Sequence, residues 1–273
     1  MSLAAAARDR WHRARGHDRL HSTQSFLEPL RDGAVLEIGG PSAEFRATGR
    51  VPVYGACRSI DGVQYAAETF WHGRREEGEY MPEGRPTGSL YIRDATDLIG
   101  LPDASWDAVI TSHVLEHIAN PLRALAEWRR VLRPTGLVLT VAPHKEGTFD
   151  HRRPVTPLEH MVGDLEAGTG EDDLTHVAET LRLHDRARDV DATDPQRFEQ
   201  LRRANQEHRL LHHHVFTTRS LLALLDHAGH ELLAVEACWP HDIFVLSRPG
   251  GDTSGNPALL RSPVPRSPFR LDR

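Results

Sequence analysis

Cysteine is scarce in this chain of 273 residues, which contains only Cys57 and Cys238. Two cysteines are too few for a disulfide framework or a thiolate zinc site, so a reducing compartment is expected. No apolar run approaches the roughly 20 residues that cross a bilayer. Residues 1–8 are too short an apolar patch, with misplaced charges, for a signal peptide. We therefore expect a cytoplasmic protein without a membrane partner.

Basic residues are in the minority, because 33 lysines and arginines stand against 39 acidic residues and leave a net charge of −6. This balance argues against nucleic acid as a partner and favours a small-molecule substrate. The chain is long enough to bury a substantial core, and its 39% hydrophobic content is that of an ordinary globular protein.

Short apolar segments alternate with helical patterns along most of the chain. The predicted strands are 34–38, 51–60, 89–92, 105–112, 136–142, 231–237 and 243–247, and the predicted helices are 17–30, 120–132 and 217–227. Such alternation predicts a doubly wound α/β fold, with helices on both faces of a mainly parallel sheet. We place this domain at 33–248, after an N-terminal helical segment at 1–32.

Two segments interrupt the alternation. Residues 143–214 are polar, contain nine of the 18 histidines and follow the fifth predicted strand. Their position favours a helical insertion that covers a substrate. After Pro249 the composition turns to Gly, Ser, Pro and Arg, so residues 249–273 are predicted to be a disordered tail.

Acidic residues stand at the ends of the first three predicted strands: Glu37, Asp61 and Asp94. Ligands of open α/β sheets bind across the carboxyl ends of the strands. A carboxylate about 20 residues after a glycine turn is typical of a group that binds ribose hydroxyls, and Asp61 is close to that position. The three acids together predict a nucleoside-type ligand.

Several longer motifs extend this pattern. They are E-I-G-G-P-S-A at 37–43, D-A-T-D-L at 94–98, W-D-A-V-I at 106–110, S-H-V-L-E-H-I at 112–118 and R-V-L-R-P-T-G-L at 130–137. Together they resemble the class I S-adenosylmethionine-dependent methyltransferases of the small-molecule type. The resemblance implies a seven-stranded sheet with its last strand antiparallel, and S-adenosylmethionine as the cofactor.

The resemblance also assigns residues to the cofactor. They are Glu37, Gly39, Gly40, Asp61, Asp94, Ala95 and Ser112. The first three would contact the methionine moiety, Asp61 the ribose, and Asp94 with Ala95 the adenine. Pro41 and Ala43 occupy positions where the family usually has glycine, so the turn must present its amides differently.

A methyl sulfonium needs no activation, so the protein has to align the acceptor and, for a hydroxyl, remove its proton. His144, directly after the fifth strand, is the first candidate proton acceptor. His113 and His151 are the further catalytic candidates. The predicted reaction is methyl transfer to an oxygen of a sugar or a secondary-metabolite intermediate, with nitrogen and carbon less favoured.

Metal binding is the weaker hypothesis. His160 and Asp164 share one face of a predicted helix, and His113 and His117 are four residues apart, but neither pair belongs to a tight ligand signature. We therefore assign no residue to a metal. Two alternative functions remain open: another S-adenosylmethionine-dependent reaction on the same fold, or a non-catalytic binding or scaffold protein.

Overall fold

A computed structural model of the protein describes residues 3–84 and 88–273. The strands are β1 Ala34–Ile38, β2 Ser59–Gln64, β3 Glu68–Thr69, β4 Gly73–Arg74, β5 Gly78–Tyr80, β6 Gly88–Ile92, β7 Trp106–Ser112, β8 Leu132–Pro143, β9 His230–Cys238 and β10 Asp242–Pro249. The helices are α1 Leu3–Ala14, α2 Thr23–Leu27, α3 Pro121–Val131, α4 Leu158–Ala167, α5 Val177–Leu183, α6 Pro195–Arg203, α7 Asn205–His208, α8 Thr218–His227 and α9 Asn256–Arg261. No helix in the described part of the chain combines the length and the apolar character that a membrane span requires.

Eight of these strands form one sheet, in the order β5-β6-β2-β1-β7-β8-β10-β9. The strands from β6 to β8 are parallel, and β10 lies antiparallel between β8 and β9. This topology confirms the predicted mainly parallel α/β sheet with an antiparallel last strand. The eighth strand, β5, adds an antiparallel edge. It was not predicted because it has only three residues in a segment rich in Gly and Glu.

Helix α3 shows how the sequence places helices against the sheet. Pro121 occupies the first turn, where its missing N–H costs nothing, and the side chain of Asn120 accepts a hydrogen bond from the amide of Arg123. The apolar stripe that includes Leu125 and Trp128 is fully buried in the core on one face of the sheet. A second apolar cluster covers the other face.

Strand β2 lies later in the sequence than predicted. The apolar residues Val51 and Val53 are fully buried, but they belong to a loop and a 3-10 turn that pack under the sheet. The strand itself begins at Ser59 and ends at Gln64. Apolar periodicity reports burial rather than strand geometry, and here the two differ.

The insertion at 143–214 contains α4 to α7, as its helical character predicted. Arg153, which is 1% exposed, joins its parts. The guanidinium donates hydrogen bonds to Asp150 (3.1 Å), to Glu179 (2.8 Å) and to the main-chain oxygen of His212 (2.9 Å). One buried cation therefore connects the beginning, the middle and the end of the insertion.

The C-terminal segment, predicted to be disordered, is folded. It contains α9, and Val264 and Phe269 are buried against Ala237 and Trp239. The buried carboxylate of Asp272 accepts hydrogen bonds from the hydroxyls of Thr218 and Ser267. The prediction failed because the polar composition concealed a few apolar side chains that suffice to anchor the segment.

Candidate active site

A cleft of about 580 Å³ opens at the carboxyl ends of the central strands. One end is lined by the loop after β1 and by the ends of β2, β6 and β7. The other end is lined by side chains of the insertion, among them Phe149, Phe198, Arg202 and His212. The cleft therefore extends from the predicted cofactor turn to the predicted substrate cover.

The turn after β1 lets the main chain lie close to its neighbours. Gly39 has a φ of +79°, and a Cβ built there would collide with the side chain of Val114. A Cβ at Gly40 would collide with the carboxylate of Glu37. Only glycine avoids both the strained φ and the clash at position 39, so this part of the cleft wall is bare backbone.

Glu37 does not line the cleft, although it was assigned to the cofactor. Its carboxylate is fully buried beneath the turn and accepts hydrogen bonds from the hydroxyls of Tyr54 (2.9 Å) and Tyr80 (2.6 Å) and from the amide of Ser42 (3.0 Å). Burial raises the pKa of Glu37 to about 7, against the lowering effect of these hydrogen bonds. Glu37 supports the turn from below.

Asp61 is also away from the cleft. It is the third residue of β2, level with Leu36 of β1, and it accepts hydrogen bonds from the amide of Ser89 (2.6 Å) and the indole of Trp106 (2.9 Å). The assignment to ribose was wrong in position because the strand continues past Asp61. Val63 and Gln64 at the end of β2 line the cleft, as does Tyr65 directly after the strand.

Of the two residues assigned to the adenine, Ala95 lines the cleft and Asp94 does not. Ala95 and Arg93 line the cleft. The carboxylate of Asp94 accepts hydrogen bonds from the amide and hydroxyl of Thr96 and, at 2.8 Å, from Arg209 of the insertion. Asp94 therefore joins the rim of the sheet to the insertion.

Ser112, which was assigned to the cofactor, and His113, a catalytic candidate, line the cleft at the end of β7. His113 has a φ of +54° and donates a hydrogen bond from Nε2 to Asp242 at 2.8 Å. Burial disfavours its charge, but the hydrogen bond to Asp242 and the nearby carboxylate of Glu116 outweigh burial and raise the pKa of His113 to about 10. A ring that is already protonated has no lone pair with which to take up a further proton.

The first catalytic candidate, His144, is fully buried outside the cleft. Its ring stacks on Phe269 of the C-terminal segment, and its Nε2 lies 3.4 Å from Asp272. His151 lies outside the cleft as well, 3.6 Å from Asp185. Both candidates were chosen for their place after the fifth strand, but the folded C-terminal segment covers His144.

Three residues that were not assigned a role line the cleft together: Glu116, His117 and His212. The side chains of His117 and His212 contact each other edge to face, with ring centroids 4.5 Å apart. The first two belong to the motif at 112–118. Only the fold brings His212 from the far end of the insertion to join them.

Comparison with known proteins agrees with this geometry. Residues 40–140 match the family model described as a methyltransferase domain. The part of the chain from the turn after β1 into β8 is therefore similar to a methyltransferase domain.

Individual relatives match shorter parts of the chain. The probable methyltransferase ltbC of Aspergillus luteorubrus is 30% identical over 130 residues, which cover 45% of this chain and 45% of that protein. A 37.1 kDa protein in transposon TN4556 of Streptomyces fradiae is 40% identical over 68 residues, 25% of this chain and 19% of that protein. The matches thus span less than half the length of these relatives.

One solved structure similar to the chain is that of 1,6-didemethyltoxoflavin-N1-methyltransferase from Burkholderia thailandensis, with S-adenosylhomocysteine bound. It aligns with 91% of this chain and 89% of that chain at 14% identity, with a TM-score of 0.47.

Proposed function

We propose that the protein transfers the methyl group of S-adenosylmethionine to an oxygen of a polar small molecule, such as a sugar or a secondary-metabolite intermediate. The observation that carries this proposal is the single cleft that joins the glycine turn to the polar wall of the insertion. A donor bound at one end and an acceptor at the other would meet beside His113.

The residues at the sheet end of the cleft fit the cofactor. The bare backbone at Gly39 leaves room for the methionine moiety. Gln64 is buried, and its Oε1 has no hydrogen-bond partner among the described residues, so it can accept a bond from a ribose hydroxyl. Ala95 and Ile118 offer apolar contact to the adenine ring. Bound there, the cofactor supplies an electrophilic methyl group.

The insertion end of the cleft fits a polar acceptor. Trp71, Phe149 and Phe198 provide aromatic faces on which a sugar or an aromatic ring can stack. The guanidinium of Arg202 lies 4.6 Å from the ring centroid of Phe198 and offers donors to acceptor oxygens. Glu116, His117 and His212 also line the cleft and can promote the loss of a proton from an acceptor hydroxyl. Their number favours oxygen over carbon as the methyl acceptor.

The test is incubation with methyl-labelled S-adenosylmethionine and a set of hydroxylated acceptors, including free sugars, nucleotide sugars and phenols. Label is expected in an acid-stable ether of one acceptor class. Calorimetry with S-adenosylhomocysteine, run in parallel, is expected to show binding in the micromolar range. Binding without any labelled product would favour another reaction on the same fold, and absence of binding would favour a scaffold.

A further inference from the structure

We propose that Glu116, His117 and His212 form a binding site for a divalent cation at the acceptor end of the cleft. The presence of the site stands on geometry alone, whereas its role in positioning the acceptor rests on the proposed methyl transfer. The residues come from the loop after β7 and from the end of the insertion.

The three donor atoms converge. One carboxylate oxygen of Glu116 and one ring nitrogen of each histidine all lie within 4.8 Å of one another. Two imidazoles and one carboxylate form a ligand set that suits Mn²⁺, Fe²⁺, Co²⁺ or Zn²⁺ and leaves coordination positions free. Because all three residues line the cleft, those free positions face the space where the acceptor would lie.

A hydrogen bond from Nδ1 fixes each imidazole and leaves its Nε2 free to bind a cation. Nδ1 of His117 donates a hydrogen bond to the main-chain oxygen of Leu211 at 3.2 Å, which leaves Nε2 as the atom with the lone pair. Nδ1 of His212 donates to Asp150 at 2.5 Å. Metal-binding histidines typically donate their second ring N–H to a carbonyl or a carboxylate in this way.

Further buried hydrogen bonds hold Asp150, the partner of His212, in place. Asp150 is 2% exposed, and the other oxygen of its carboxylate accepts a hydrogen bond from Arg153 at 3.1 Å. Arg153 also binds the main-chain oxygen of His212. The orientation of His212 is therefore determined by a buried network and not by chance packing.

The carboxylate of Glu116 lacks the partners that a buried charge requires. The residue is fully buried, and neither carboxylate oxygen has a hydrogen-bond partner within the part of the chain that the structure describes. The nearest basic atoms are Nδ1 of His113 at 3.6 Å and Nε2 of His117 at 3.9 Å. A buried carboxylate without a hydrogen bond is costly, and a cation bound jointly with His117 and His212 would contact its oxygens directly.

A cation at this position would bind a hydroxyl of the acceptor and lower its pKa. The hydroxyl then loses its proton to water at the mouth of the cleft. Its oxygen forms the new bond to the methyl carbon as the bond from that carbon to sulfur breaks, and sulfur keeps the electron pair. The products are the methyl ether and S-adenosylhomocysteine. Acceptors with two adjacent hydroxyls suit such a site best, because both can bind the same ion.

A second histidine cluster provides the matched control. His160, Asp164 and His214 also bring their ligand atoms within 4.8 Å of one another, but none of these residues lines the cleft. His160 faces His176 with the Nε2 atoms 3.1 Å apart, inside the insertion. Variants of this cluster remove ligands of the same chemical type without touching the cleft.

The experiment is titration of the chelator-treated full-length protein with Mn²⁺, followed by calorimetry and by the electron paramagnetic resonance signal of free Mn²⁺. The wild type is expected to bind one ion tightly. Glu116→Gln and His212→Asn should each weaken this binding about tenfold or more, whereas His160→Asn should not. Thermal unfolding and S-adenosylhomocysteine binding of each variant verify that it is folded.

The proposed site would be disproved if Glu116→Gln bound Mn²⁺ as the wild type does, or if only His160→Asn lost Mn²⁺ binding. Absence of Mn²⁺ binding in the wild type would also overturn it and leave the Asp150–His212 pair as a metal-free proton acceptor. The titration needs no acceptor, so it is independent of the proposed reaction. Intact Mn²⁺ binding without methyl transfer to any hydroxylated acceptor would count against the proposed function alone.

Discussion

Nε2 of His113 donates a 2.8 Å hydrogen bond to Oδ1 of Asp242, across the gap between the end of β7 and the start of β10. Asp242 is 3% exposed and also accepts a 2.7 Å hydrogen bond from Arg50. These contacts lower the pKa of Asp242 against the effect of burial. His113 lines the cleft, and Asp242 holds its ring from behind the residues that line it.

The hydrogen-bonded pair of His113 and Asp242 predicts that the stability of the protein depends on pH. The pKa of His113 is raised from 6.5 to about 10 in the folded protein. Its contribution to the free energy of unfolding is therefore complete below pH 6.5 and is lost as the pH rises toward 10. Urea unfolding at several pH values in this range should show a steeper decline for the wild type than for His113→Gln. The exposed His227 is the control, since His227→Gln should keep the wild-type profile.

The glycine turn predicts a specific loss of cofactor binding. Gly39→Ala would place a methyl group against Val114 at a φ of +79°. The turn would shift to relieve a backbone strain of about 1–2 kcal/mol, and restoring it for binding would weaken the affinity for S-adenosylhomocysteine roughly tenfold. Gly55→Ala is the matched control, because no atom lies within 4 Å of a Cβ built there. Equal affinities of the two variants in calorimetry would show that the turn does not contact the cofactor.

The C-terminal segment is predicted to contribute to stability. Phe269 is 2% exposed and stacks on His144 with ring centroids 3.9 Å apart. Phe269→Ala should lower the free energy of unfolding by about 3 kcal/mol. Leu271, in the same segment, is 47% exposed, and Leu271→Ala should change the stability by less than about 0.5 kcal/mol. A segment that is not packed in solution would give two equally small changes in denaturant unfolding.

Arg209 connects the insertion to the rim of the sheet. It lies 2.8 Å from Asp94 and 3.1 Å from Glu171, and its side chain is 17% exposed. Arg209→Gln should cost about 1 kcal/mol, because partial exposure reduces the value of charged hydrogen bonds. It should also speed hydrogen exchange in the insertion. The exposed pair of Arg203 with Glu199 is the comparison, and Arg203→Gln should leave both measurements unchanged.

Much of the fold could be predicted because local pattern and burial agree there. The predicted strand 34–38 coincides with β1, and the predicted helix 217–227 differs from α8 by its capping residue, Thr217. The predicted and observed elements differ where buried apolar residues do not form a helix or a strand. Val51 and Val53 are an example, and they shifted the predicted end of β2 to Asp61.

Some of the residues assigned to the site line the cleft, and others do not. Gly39, Ala95, Ser112 and His113 line the cleft, as their places at strand ends indicated. Glu37 does not, although it also stands at a strand end, because its side chain points beneath the turn to Tyr54 and Tyr80. Position along a strand is readable from periodicity, whereas the direction of a side chain depends on the residues that surround it.

The amino-acid sequence by itself determined the class of fold and several of the turn and strand-end residues that line the cleft. These properties follow from burial patterns and turns that extend over a few residues. The tertiary structure alone decided that His144 is covered by Phe269 and that His212 faces Glu116. Such contacts arise when segments distant in the chain pack together, so no local pattern encodes them.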